Sequence, residues 1–400
     1  MITRLSVALL IWLAFLSGSE AQSVGRTPGK FNVSAIGSAQ YSIPIWAPPG
    51  PRGMHPNISL FYDSGSSIGP LGIGWSIAGL GAITRCNLTT AQDTTPAPVA
   101  LVTTDGYCIN GNRLRLTGGT YGTTGSTYQT EIADFSNITA NGTAGDGPQY
   151  FTVQARNGLT YYYGYTDSNG NGANSEVLAS GSTTALTWLL SKVVDRAGNN
   201  YVINYLPPST TLTGTSVPYK ILWTPVSAGS SSYTYTMLFN YTATNPPQSS
   251  INQYVAGTLV SNTELLNSIE ILLGTTVVKN YLLTYQSSPL TQREELIQVK
   301  ECADSAGSNC LLPTAIGYQT GSPGLSTVSN SALSSSSYGV TTRYDLNGDG
   351  YPDLVYVNGT SLYVAFGSAS GYGTPINTGV PGNLIGNITG GQPRRHPRRQ

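Results

Sequence analysis

The sequence predicts an all-β protein, and three observations carry the prediction. Tyrosine reaches 26 residues, glycine 47 and proline 24, so β-favouring aromatics are interleaved with turn formers. Charged residues make up only 10% of the chain, against roughly 25% in an average soluble domain. In several segments the apolar residues return at every second position, the period of a half-buried strand. A hydrophobic fraction of 39% over 400 residues suffices for two or three domains with real cores and excludes a disordered chain. The formal net charge is zero, so nothing draws the chain as a whole to nucleic acid or to an anionic membrane.

Residues 1–21 read as an export signal. Arg4 supplies positive charge, Leu5 to Leu16 is apolar, and Ser19-Glu20-Ala21 offers a small-x-small cleavage site before Gln22. That run is too short to span a bilayer comfortably, and no later stretch is long and apolar enough, so the mature protein is expected to be secreted without a membrane span. Export makes the four cysteines candidates for structural disulfides. Three pairings exist for four cysteines, and sequence proximity favours Cys86 with Cys108 and Cys302 with Cys310. A zinc site is disfavoured, because no C-x-x-C occurs and His55 and His396 are the only histidines.

Beyond the signal, Phe31, Val33 and Ala35 alternate with polar partners, and Tyr41, Ile43 and Ile45 resume the alternation after Gly37, which predicts two strands joined by a turn. Pro48-Pro-Gly-Pro-Arg-Gly53 interrupts regular structure before a strand at residues 57–63. Trp188 to Tyr205 reads as a hairpin around Gly198-Asn199, and residues 268–273 and 277–285 as another around Gly274-Thr-Thr276. Tyr233, Tyr235, Met237, Phe239 and Tyr241 fall on one face of a half-buried strand. Gly65-Ser-Ser-Ile-Gly69 matches G-x-S-x-G, but its flanks are turn-like and only His55 is near in sequence, so a nucleophile elbow is not expected. Trp75 is expected to be a core residue.

The series PIWAPPGPRGMHPNISLFYDSG followed by GPLGIGWSIAGLGAITR resembles the N-terminal SpvB-type domain shared by the Salmonella SpvB virulence protein and the B components of insecticidal Tc toxins, relatives of the Rhs/YD-repeat proteins. Trp188-Leu-Leu-Ser-Lys-Val-Val-Asp-Arg-Ala-Gly-Asn199 continues the resemblance. It implies an SpvB-type multi-stranded β domain over residues 29–318. Residues 319–338 are a Ser/Gly-rich linker.

Next comes Asp345-Leu-Asn-Gly-Asp-Gly-Tyr-Pro-Asp353, which reads as a structural calcium loop. Its oxygen donors are Asp345, Asn347, Asp349, the carbonyl of Tyr351, and Asp353; Gly350 permits a sharp turn. Hard oxygens in alternation suit a flexible Ca²⁺ shell at roughly 2.3–2.6 Å. The alternative is an Asx-rich surface turn that binds nothing tightly. With the strands expected at 354–357 and 362–366, residues 339–370 resemble one FG-GAP/VCBS repeat, which implies an incomplete β-propeller-like unit. A single blade cannot bury both its faces, so a chain stopping at residue 400 is not expected to build a propeller. Residues 371–400 form a tail, truncated or irregular, whose four terminal arginines read either as a polyanion-binding end or as a frame-shifted or cloning-derived one.

The function so implied is a secreted, non-enzymatic β module of a Tc/SpvB/Rhs-like toxin, whose partners are other toxin components or an effector domain. One alternative is an adhesin binding carbohydrate or a host surface through exposed aromatics. Another is the N-terminal part of a larger toxin enzyme. The ADP-ribosyltransferase of the Salmonella relative uses an E-x-E pair, whereas Glu294 and Glu295 are adjacent, so that activity is not carried over.

Overall fold

Alternation of apolar and polar residues becomes strand almost throughout the protein, seen here in a computed structural model that describes residues 25–227, 230–243, 251–319 and 337–382. The helical elements among these are one α-helical turn, Thr90–Asp93, and one 3-10 turn, Pro51–Gly53. The chain divides into two compact units, Met1–Ser322 and Pro323–Gln400. The expected export signal, most of the expected linker and the arginine-rich end lie outside the described residues. Among the described residues no helix is long and apolar enough to cross a membrane.

The first unit begins with an antiparallel sheet in the order Lys30–Val33, Ala39–Ile45, Ile58–Asp63, Trp75–Ala78. Period-two patterning puts Ile43, Ile45, Ile58, Leu60 and Trp75 into the core, as expected for Trp75. The indole N–H of Trp75 is satisfied there by the Tyr318 hydroxyl at 2.9 Å. The proline-rich turn is held by a residue distant in sequence, where Trp223 Nε1 donates to the Pro48 carbonyl at 2.9 Å.

Eight strands then close into a barrel, an arrangement not legible in the sequence. Seven follow one another: Ala82–Cys86, Gly106–Ile109, Asn112–Gly118, Thr127–Thr130, Asn137–Asn141, Tyr150–Gln154 and Thr160–Tyr163. The eighth, Ala185–Val194, closes the ring by pairing Thr187 with Thr84 on one side and Val194 with Thr160 on the other. Closure removes the sheet edges that would otherwise template aggregation. Tyr107, Tyr128, Phe151 and Trp188 fill the interior, in edge-to-face contacts with ring centroids 5.0–6.3 Å apart. An eight-stranded barrel is just wide enough to be filled by side chains, and this one is.

The strand Ala185–Val194 also carries the sheet on beyond the barrel, pairing Lys192 with Val202 across the predicted hairpin. That sheet continues through Pro218–Pro225, Tyr233–Ala243, Glu264–Leu273, Thr276–Ser287 and Glu294–Cys302. Met237 and Phe239 of the predicted half-buried strand are fully buried, while Tyr233, Tyr235 and Tyr241 are half-buried. Both disulfides pair neighbours in sequence: Cys86–Cys108 bridges adjacent barrel strands, and Cys302–Cys310 closes the loop after Glu294–Cys302.

The second unit is a four-stranded antiparallel meander of Ser337–Tyr344, Asp353–Asn358, Ser361–Ala365 and Ile376–Pro381. Leu354, Tyr356 and Ala365 form its small core, with the Tyr356 and Tyr363 rings stacked 5.6 Å apart.

Candidate functional site

The loop between the first two strands of the meander gathers Asp345, Asn347 and Asp349 into one exposed turn. Gly348 and Gly350, at φ 76° and 90°, supply left-handed backbone that other residues adopt only with strain. Asp345 Oδ1 accepts from the amides of Gly348 (2.7 Å) and Asp349 (3.2 Å), and its Oδ2 from Gly350 (2.9 Å). Asn347 Nδ2 donates to Asp349 Oδ2 at 2.8 Å, and the Tyr351 amide donates to Asp349 Oδ1 at 2.9 Å.

Asp353 is placed differently. It is fully buried at the start of its strand, where its two oxygens accept from the amides of Leu346 (2.6 Å) and Gly367 (2.8 Å). It therefore ties the base of the loop to the turn after Ser361–Ala365. Among the described residues no three His, Cys, Asp or Glu side chains converge as a metal-holding group. The loop nonetheless offers only oxygen donors, a chemistry that suits Ca²⁺ and not a thiophilic or imidazole-seeking metal. Asp345 Oδ1 already accepts twice, whereas Asp345 Oδ2 and the oxygens of Asp349 and Asp353 accept one bond each and keep a further lone pair.

Two turns of the first unit have the same framework but close differently. In Asp167-Ser-Asn-Gly-Asn171 the aspartate accepts from the amides of Asn169 and Asn171 and from Asn171 Nδ2 at 3.0 Å. In Asp195-Arg-Ala-Gly-Asn199 it accepts from Ala197 and Asn199 amides and from Asn199 Nδ2 at 2.7 Å. The Asn199 side chain, helped by these amides, holds the Asp195 carboxyl below the usual carboxylate range. The position of Asn171 and Asn199 is taken in the third turn by Asp349, which has no N–H to donate from its side chain.

Inside the barrel, Arg85 is the most heavily committed side chain. It is the terminal arginine of GPLGIGWSIAGLGAITR, with no role legible in the sequence. Its guanidinium, with no solvent exposure, pairs with Asp105 at 2.9 Å and donates to the carbonyls of Ala185 (2.7 Å), Val102 (2.6 Å) and Asp146 (2.8 Å). The rings of Tyr107 and Trp188 lie 5.7 Å from its central carbon. Burial pushes the Tyr107 hydroxyl well above its ordinary range and that of Tyr121 up to about 12. The contacts of Arg85 tie barrel strands and loops together.

Gly65 lies in the turn after Ile58–Asp63, and Gly69 ends the short strand Ile68–Gly69, with no helix after it. His55 is engaged locally, its Nδ1 lying 2.8 Å from the Gly53 carbonyl.

Residues 33–93 match the family described as SpvB, Salmonella virulence plasmid 65kDa B protein. No curated protein matches the chain. Among solved structures, TcdB2-TccC3 superposes with a TM-score of 0.63 at 17% identity, over 90% of this chain and 20% of that one. The Tc holotoxin pore of Photorhabdus luminescens gives a TM-score of 0.60 at 17% identity, over 92% of this chain and 20% of that one. The N-terminal domain of the effector protein SpvB from Salmonella typhimurium strain LT2 gives 0.52 at 17% identity, over 66% of this chain and 98% of that one. At such identities the likeness is one of fold, and the chain spans about a fifth of the length of the TcdB2-TccC3 chain.

Proposed function

We propose that the chain is a secreted, non-enzymatic β module of a Tc/SpvB-like toxin, which docks or encloses an effector-bearing component. The observation that carries this reading is the extent of the shared fold: 90% of the chain superposes on TcdB2-TccC3. The family match at residues 33–93 supports it independently, because it rests on sequence. A barrel closed on itself and filled with aromatic side chains suits a rigid scaffold, and its most buried charge, Arg85, is spent on holding strands together.

In this reading the four-stranded meander is one FG-GAP/VCBS-like blade, since propeller blades are four-stranded sheets. Asp345, Asn347, Asp349, Asp353 and the Tyr351 carbonyl would hold Ca²⁺, which supplies the positive charge that the turn lacks. The protein's own part is to orient the carboxylates, through the amides of Gly348, Gly350 and Tyr351 on the exposed pair and those of Leu346 and Gly367 on Asp353.

Interferometry of the full chain against a purified cognate toxin component, in parallel with a glycan array, tests the function. Saturable binding to the toxin component without glycan retention is expected. Glycan retention without any toxin-component binding would overturn the reading in favour of an adhesin.

A further inference from the structure

The sequence Asp-x-Asn-Gly stands at the head of two turns, Asp167-Ser-Asn-Gly170 in the first unit and Asp345-Leu-Asn-Gly348 in the second. In both, the asparagine and the glycine are exposed and the glycine has φ 76°. An asparagine followed by glycine is open to attack on its side-chain carbon by the next backbone nitrogen, because glycine has no Cβ to crowd the approach. The attack closes a five-membered succinimide ring. It is promoted by a base for the glycine N–H and by a donor to the oxygen that turns negative.

The two turns differ in both respects. The Gly170 amide donates to the backbone carbonyl of Asp167 at 3.0 Å, and Asp167 Oδ1 is taken up by the amides of Asn169 (2.9 Å) and Asn171 (3.0 Å). The Gly348 amide donates instead to the carboxylate of Asp345, at 2.7 Å from Oδ1. In the same turn the Asp349 amide donates to Asn347 Oδ1 at 3.2 Å. A third exposed asparagine before glycine, Asn157, has such a donor in the Leu159 amide (3.0 Å), but its Gly158 amide meets only the Ala155 carbonyl. A carboxylate is a far stronger base than a backbone carbonyl. Of the three steps, the one at Asn347 alone joins base, nucleophile and oxygen donor.

We propose that Asn347 is a self-modification site, converted by Gly348 with Asp345 as general base. Asp345 Oδ1 takes the Gly348 N–H proton, the nitrogen bonds to the side-chain carbon of Asn347, and the bond from that carbon to Nδ2 breaks. The proton passes from Asp345 through water to Nδ2, which leaves as ammonia. Water then opens the succinimide at either carbonyl and leaves aspartate or isoaspartate at position 347. The product sets a third carboxylate beside Asp345 and Asp349 and deletes the Nδ2 donor to Asp349 Oδ2, so the modification loosens a turn that the unmodified chain holds closed.

Calcium binding is not required for this step, so the test is run with EDTA present and stands apart from the calcium reading. The full chain is incubated at mildly alkaline pH and sampled over days, and conversion at each asparagine is followed by peptide mapping with mass spectrometry. Asn347 is expected to convert at least about tenfold faster than Asn169 and Asn157, a lower bound on what a positioned base contributes. Asp345→Asn keeps the shape and an acceptor oxygen but not the base, and should bring Asn347 down to the rate of Asn169. The wild-type comparison needs no variant, because the three sites are read in one chain. Conversion of Asn347 no faster than that of Asn169 would overturn the proposal, as would an unchanged rate in an Asp345→Asn chain whose meander still melts cooperatively.

Discussion

The two units handle negative charge in opposite ways. In the first, the Asp195 turn is complete in itself: Asn199 closes it with a side-chain amide, and the carboxylate needs nothing from outside. In the second, the Asp345 turn has the same Asp-x-x-Gly framework, but Asp349 stands where the asparagine would be. Two carboxylates then share one turn, held by backbone amides and Asn347 alone. The contrast extends to buried charge. Arg85 meets a carboxylate inside the barrel, whereas Asp353 is fully buried and meets only amides. A few residues thus separate a turn that closes on its own side-chain amide from one whose two carboxylates meet only backbone amides and Asn347.

The largest effect is expected where the first unit is most self-reliant. Arg85→Met leaves Asp105 buried without its partner and should cost about 3–5 kcal/mol, read as a lowered Tm of the barrel unit. A change within experimental error would mean that the barrel does not depend on internal pairing. Next, Asp353→Ala orphans the amides of Leu346 and Gly367, each donor costing about 1–3 kcal/mol if water does not reach it. Faster hydrogen exchange at residues 345–367, with the barrel unaltered, is the expected signature.

Exchanging the closing residues sharpens the comparison with smaller effects. Asp349→Asn should raise the Tm of the meander without calcium and remove its response to calcium, because the turn now closes like that of Asp195. Asn199→Asp should do the reverse and slightly destabilise the first unit at neutral pH. The Asp195 carboxyl is depressed on folding, first by Asn199, so its contribution is present above its unfolded pKa and lost as pH falls through the folded value. In Asn199→Asp the acid-side loss of Tm assigned to Asp195 should shrink, which a series of melts from neutral pH to about pH 3 would detect.

Much of this was legible in the sequence because strands and turns are local. Met237 and Phe239 announce a buried face two residues apart, and Gly198-Asn199 announces a hairpin. The proximity of cysteines favoured the pairings that the structure makes. Barrel closure was not legible, because it depends on one long strand pairing Thr187 with Thr84 and Val194 with Thr160, across more than thirty residues of chain. Arg85 carried a signal, as the end of the GPLGIGWSIAGLGAITR series, but its partners come from three distant loops and strands. Asp353 was read with the other loop oxygens, and its burial follows from the inward side of its strand, which only the meander fixes.

Hydrogen exchange of the full chain with and without saturating Ca²⁺ tests the central contrast most directly. Slowed exchange at the amides of Gly348, Gly350 and Tyr351 on adding calcium is expected, with no change at Ala197 and Asn199. Unchanged exchange in the Asp345 loop, or equal slowing of both turns, would contradict it.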